Sequence, residues 1–186
     1  MKRRLFINIK IPEEIRKTVR EELNKIKLPQ KLQARFVPEK NWHITVLFMG
    51  YIEENEIENT AEAISDIKKE YTGGFEVTFE KINYGPPGSV KRMIWLKTNK
   101  NTSDIIGRIK NSLESGLKTR GIFFEHDFKD FNGHVTLAKF MPASERELPG
   151  IEKTLALSFK ADTVFLTESH LEKSGANYED LEEVFL

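Results

Sequence analysis

Apolar and polar positions along this chain follow two periods, one close to 2 and one close to 3.6, and the switches between them outline the elements. Residues 4–11, RLFINIKI, are apolar and β-branched enough for a strand, and Pro12 followed by Glu13 and Glu14 opens a helix. Ile15, Val19, Leu23 and Ile26 give that helix a single apolar stripe, which LPQ at 28–30 ends. ARFVP at 34–38 predicts a short strand, and an apolar run follows up to Met49 and Gly50. A second helix is expected over 53–70, with Ile57, Ala61, Ile64 and Ile67 inward and Gly73 and Gly74 as its terminator. FEVTFEKI at 75–82 alternates as a half-buried strand, YGPPGSVKR at 84–92 reads as a loop able to act as a flap, and MIWLKT at 93–98 is the next strand. Thr102 or Ser103 can cap a helix carrying Ile106, Ile109, Leu113 and Leu117, closed by Gly121. Another apolar run follows, then LALSFKADTVFLTES as one or two strands and YEDLEEVFL as a last one.

Two of these runs share an unusual feature. NWHITVLFMG at 41–50 and NGHVTLAKF at 132–140 each place a histidine two residues before a threonine inside an otherwise apolar strand. Side chains of a strand alternate, so His43 and Thr45 share one face while Ile44 and Val46 take the other. His134 and Thr136 repeat this over Val135 and Leu137. With 4 histidines and 12 threonines in 186 residues, chance supplies about a quarter of one His-x-Thr match. The surrounding order recurs as well: strand, helix, His-x-Thr strand. His43 follows Leu5 by 38 residues and His134 follows Met93 by 41. This is a weak internal duplication in element order, and two lobes related by it would bring the motifs face to face across a cleft.

Composition narrows the picture. The 186 residues, 39% of them hydrophobic, suffice for a core, and no apolar stretch approaches the roughly 20 residues of a membrane span. A soluble, cytoplasmic protein without membrane attachment is expected, and a monomer. The absence of cysteine removes disulfides and thiolate catalysis and leaves histidine and oxygen as the only strong metal ligands. The 29 basic and 29 acidic residues cancel, so a nucleic-acid ligand has to be gripped locally rather than by overall charge.

Paired imidazoles suit proton transfer, because near their unperturbed pKa of about 6.5 one can accept a proton while the other donates. Phosphodiester cleavage needs both. Threonine hydroxyls are neutral donors able to hold the non-bridging oxygens of a phosphate between the two rings.

RLFINIKIP near the amino terminus, NWHITVLFMG, GHVTLAKF and the late LTESHL and YEDLEEVFL together resemble the RNA 2′,3′-cyclic phosphodiesterase (2′-5′ RNA ligase) family of the two-histidine phosphoesterases, over nearly the whole chain. The resemblance implies an α+β fold with two pseudo-symmetric lobes, antiparallel sheets lining a central cleft and helices outside. It makes residues 1–186 one domain of two interlocked lobes, each contributing one motif. It implies metal- and cofactor-independent opening of the 2′,3′-cyclic phosphate end of an RNA or oligonucleotide to a 2′-phosphate, and possible ligation in reverse. His43 is then the proton donor, His134 the proton acceptor, and Thr45 and Thr136 the phosphate-binding residues. Where members often carry arginine five residues after the second histidine this chain has Lys139, and where they often carry proline just before it, Gly133. Strict alternation puts Lys139 on the face opposite His134, so a phosphate-binding Lys139 requires a bulge.

Two other readings stay open: a non-catalytic nucleotide- or RNA-binding module of the same fold, and a metal-dependent hydrolase using histidine and carboxylates. The second lacks a compact signature such as His-Glu-x-x-His. His126 and His170 have no threonine partner and read as surface or capping residues. Trp42, Phe48 and Phe140 can stack on a base or pack in the core, and Arg35, Lys40, Lys91 and Arg92 can steer an RNA end or be ordinary surface charge.

Overall fold

A computed structural model describes residues 1–125, 131–151, 153–172 and 175–186. In chain order the elements are β1 (Lys2–Lys10), α1 (Glu13–Leu23), β2 (Arg35–Phe36), β3 (His43–Glu53), α2 (Ile57–Ser65), β4 (Phe75–Gly85), β5 (Val90–Thr98), α3 (Lys100–Thr119), β6 (His134–Ser144), β7 (Lys153–Ala161), β8 (Thr163–Glu172) and β9 (Gly175–Phe185). The strands form one antiparallel sheet in the order β7-β4-β5-β6-β3-β1-β8-β9, with β2 also beside β6. The fold class is α+β, as the family resemblance implies.

The sheet divides naturally where β3 meets β6, because the register between them runs through the pair Ile44 and Val135. Past that pair the strands diverge, and β2 takes the vacated edge of β6: Phe36 opposes Ala138, Arg35 opposes Lys139, and the Val37 N–H donates to the Leu137 carbonyl at 2.8 Å. On one side of the seam lie β6, β5, β4 and β7, on the other β3, β1, β8 and β9.

The predicted duplication reappears as a repeated register. Lys10, Ile9 and Asn8 of β1 oppose His43, Ile44 and Thr45, while Lys97, Leu96 and Trp95 of β5 oppose His134, Val135 and Thr136. Each motif strand then carries an extra residue at the same place. Val46 is inserted between the pairs Asn8–Thr45 and Ile7–Leu47, and Leu137 between Trp95–Thr136 and Ile94–Ala138. Two consecutive residues therefore turn inward on each strand, Val46 with Leu47 and Leu137 with Ala138, and all four are buried.

The face opposite the histidines is the core. Ile44, Val46, Val135 and Leu137 join one cluster with Ile15, Val19 and Leu23 of α1 and Ile106, Ile109, Leu113 and Leu117 of α3. Burying each of these side chains contributes about 1.5–3 kcal/mol, so the apolar face of each motif strand fixes the direction of its polar face. Trp42 and Phe140 are buried here too, which assigns both to packing.

Three boundaries differ from those the patterning predicts. The second helix spans Ile57–Ser65 between short 3₁₀ turns, because residue 53 is still in β3, opposing Lys2. Helix α3 starts at Lys100, capped by Asn99, whose side chain accepts from the Thr102 N–H at 2.8 Å. Thr102 is buried and its hydroxyl accepts from the Thr78 N–H at 2.9 Å, a tertiary task that removes it from the cap. The expected loop at 84–92 contracts to 86–89, since β4 and β5 stay paired as far as Gly85 and Met93.

Candidate active site

His43 and His134 sit at the first residue of β3 and of β6, each on a fixed stem. The His43 Nδ1 lies 2.7 Å from the Asn41 carbonyl oxygen and the His134 Nδ1 lies 2.6 Å from that of Asn132. A carbonyl can only accept, so Nδ1 carries hydrogen in both rings and each Nε2 is the atom left for chemistry. The arrangement is Asn-x-His-x-Thr in both halves, a longer repeat than the histidine and threonine alone. Asn41 is buried and its side chain donates to the Ala176 carbonyl at 2.8 Å, which ties the first stem to β9. The second stem is set by Gly133, whose N–H donates to Ser103 Oγ at 3.1 Å and whose carbonyl accepts from Thr98 Oγ1 at 3.0 Å. A proline here would have no N–H to give, and a Cβ would run into Thr98 Oγ1.

Since Ile44 opposes Val135, their neighbours His43, Thr45, His134 and Thr136 all turn to the other face of the sheet, two on each side of the seam. All four are partly buried. Thr45 Oγ1 is 3.0 Å from His43 Nε2. The surroundings of the rings differ. The His43 ring is tilted against Phe6 at 4.9 Å and met edgewise by Tyr178 at 5.4 Å, whereas His134 is stacked on the Trp95 indole. Burial pushes the pKa of both histidines below the ordinary value, partly offset by their carbonyl partners, and at His43 the positive charges of His134 and Lys139 push it further down. Burial raises the Tyr178 phenol, which stays neutral.

Lys139 reaches this face through the inserted Leu137. Met93 and Trp95 point the same way, for Trp95 Nε1 donates to Met93 Sδ at 3.3 Å while the indole stacks on His134. Lys139 opposes Met93 and is exposed, so it shares the face of His134. Its counterpart in the first half is Phe48, opposite Phe6, with the Arg4 guanidinium 4.6 Å above its ring. Beside His43 a cleft of about 250 Å³ is lined by Phe6, Asn8, Lys10, Lys40, Thr167 and Asp180, among others. Asn8 donates to Thr167 Oγ1, Thr167 donates to Asp180, and Lys10 pairs with Asp180.

The structure keeps His170 away from the pair. Glu168, His170 and Glu179 lie on the other face of the β8–β9 ribbon, close enough to share a cation, and Arg3 already pairs with Glu168. His126 lies outside the described residues. Lys91 is buried with Nζ toward the Pro86 carbonyl. The sequence reading misses Phe6, Trp95 and Tyr178 as neighbours of the histidines, because strand pairing rather than local pattern delivers them. The paired asparagines, by contrast, were open to view.

Two imidazoles whose Nε2 atoms are not committed to the backbone, two hydroxyls and a lysine on one face make a donor set for acid–base chemistry at phosphorus. The sequence model of the LigT-like phosphoesterases matches residues 9–95. A Methanocaldococcus jannaschii protein named RNA 2′,3′-cyclic phosphodiesterase is 31% identical, over 97% of this chain and 99% of its own. An Archaeoglobus fulgidus protein of the same name is 27% identical over 96% and 97%. Among solved structures, a Thermus thermophilus protein superposes with a TM-score of 0.81 at 24% identity, covering 98% of this chain and 97% of that one. Escherichia coli LigT, solved with 3′-AMP, gives 0.78 at 22%, covering 100% and 99%. The chain belongs to the LigT-like family of two-histidine phosphoesterases.

Proposed function

We propose that this protein opens 2′,3′-cyclic phosphate ends of RNA to 2′-phosphates, using residues 1–186 as one monomeric unit to which each lobe contributes a His-x-Thr motif. The observation that carries the reading is the doubled geometry at the seam: two imidazoles, each held at Nδ1 by a backbone carbonyl, lie on one face of the sheet together with Thr45 and Thr136. A pure binder has no need of a matched acid and base. The names of the relatives from Methanocaldococcus jannaschii and Archaeoglobus fulgidus support the substrate.

In the proposed reaction His134 takes a proton from water as its oxygen bonds to phosphorus, the bond from phosphorus to the 3′ oxygen breaks, and His43 gives its proton to that oxygen. Thr45 and Thr136 hold the non-bridging oxygens, with Lys139 as a third, charged contact. The bound phosphate anion favours the imidazolium form and offsets the Lys139 charge felt by His43, which the acid role requires. Acid, base and phosphate donors are all side chains, so the steps need no metal or cofactor. With a 5′-hydroxyl in place of water as the nucleophile, the same steps would form a 5′ oxygen–phosphorus bond as the 3′ oxygen leaves, which makes a 2′-5′ linkage.

The test is incubation with a nucleoside 2′,3′-cyclic phosphate and with an RNA bearing that end, followed by identification of products. A 2′-phosphate is expected, and a 3′-phosphate overturns the regiochemistry. A substrate with a 3′ thiolate leaving group should rescue His43→Ala far more than His134→Ala; the opposite pattern reverses the two roles.

A further inference from the structure

We infer that Arg35 and Lys40 extend the site into a seat for the phosphate backbone upstream of the reacting end, so that the preferred substrate is a single strand longer than one nucleotide. The inference rests on the reading above and adds to it where the rest of the strand goes. Because β3 and β6 run antiparallel through Ile44 and Val135, residues after His134 descend toward the end of the cleft where residues before His43 lie. Lys139 and Arg35, Lys40 and Asn41 therefore gather at the His43 end. Arg35 opposes Lys139 directly on the next strand, which puts both on the cleft face, and both are exposed. Lys40 lines the cleft beside His43.

Like charges directly opposite one another weaken a sheet. Several cations elsewhere in the protein do have a carboxylate partner: Arg3 pairs with Glu168, Arg16 with Glu13, Arg20 with Glu39 and Arg120 with Asp66. Lys10, the other cation lining the cleft, pairs with Asp180. Among the described residues Arg35, Lys40 and Lys139 have no such carboxylate partner. In a chain whose charges sum to zero, three unneutralised cations beside a proposed phosphate site favour a ligand carrying more than one phosphate. Among the described residues, Arg4 at the opposite end of the cleft is held by Ser169 Oγ at 2.8 Å and covers Phe48.

The experiment compares a nucleoside 2′,3′-cyclic phosphate with a trinucleotide carrying the same end, for the wild type and for Arg35→Ala, Arg35→Lys and Lys40→Ala. The wild type should prefer the trinucleotide. Arg35→Ala should lower its kcat/KM about tenfold, mainly through KM, and pull the ratio of trinucleotide to mononucleotide toward one, while Arg35→Lys retains most of it. The slope of log kcat/KM against log salt for the trinucleotide should flatten by about 0.7 for each phosphate that a substitution leaves without its cation. Equal fractional losses on both substrates, or an unchanged ratio, overturn the inference. Fluorescence anisotropy with a labelled trinucleotide ending in a 3′-phosphate separates this from the activity reading. If the wild type turns over neither substrate, the activity reading falls; weaker binding by Arg35→Ala still supports the seat, and unchanged binding removes it.

Discussion

Trp95 lies flat against His134, with ring centroids 3.8 Å apart and planes 19° from parallel. Trp95 is itself backed by Gly85 of β4, where a Cβ would collide with the indole. Gly85, Trp95 and His134 thus lie in sequence from a neighbouring strand into the cleft, so the position of the indole bears on that of the imidazole.

Gly85→Ala should accordingly disturb His134 without touching it. The added methyl has to push the indole aside, at a cost of about 1–3 kcal/mol for overpacking, and misalignment of the His134 imidazole should lower kcat by about tenfold or more. Thermal melts and steady-state kinetics on the same preparation check this; a variant that melts lower yet turns over at the wild-type rate shows that the stack does not orient the ring.

Alanine at His43 or His134 should each cost at least about a hundredfold in turnover, the usual weight of an acid or base. Thr45→Ala and Thr136→Ala should fall between these and the wild type, and His170→Ala should change little. Circular dichroism confirms folding in each case. Loss at His170 comparable to that at the pair would refute the placement of chemistry at the seam.

The pH profile of kcat/KM should be a bell centred below about 6.5, reporting the pair rather than either ring. Desolvation disfavours imidazolium at both sites, so the singly protonated pair is most populated at a pH lower than free imidazole would give. Lys139→Gln removes a positive neighbour of His43, which raises that pKa and should move the corresponding limb upward. A limb that stays in place, or moves down, shows that Lys139 does not act on His43.

Excess chelator should leave turnover intact. The one cluster among the described residues able to share a cation, Glu168, His170 and Glu179, sits on the sheet face away from the histidine pair. Activity lost in EDTA and restored by a divalent ion would promote a metal-dependent reaction instead.

Alternation alone places His43, Thr45, His134 and Thr136 on their common face, because four buried neighbours, Ile44, Val46, Val135 and Leu137, leave each strand no other way to lie. The same rule fails five residues past each histidine. It sends Lys139 to the core face, and only the register against β5 reveals the inserted Leu137 that returns it to the cleft. Bulges are properties of a strand pair, and one strand's sequence does not show which partner residue goes unmatched. The aromatic neighbours were hidden for a related reason: Phe6 and Tyr178 reach His43 from strands at opposite ends of the chain. Helix ends failed where a tertiary contact claimed the capping residue, as Thr78 claims Thr102.

The β8–β9 hairpin also has a consequence for the order in which the protein is made. Residues 163–185 return to the first lobe, where β8 pairs with β1 and β9 supplies Tyr178 and the Ala176 carbonyl that anchors Asn41. A nascent chain that has emerged only through β7 already holds every strand of the second lobe, yet one edge of β1 is unpaired and His43 lacks half its surroundings. His43, the earlier of the two motifs to leave the ribosome, is the later to be completed, and a chain stopped short of its last two dozen residues would display an open β1 edge to any neighbouring strand.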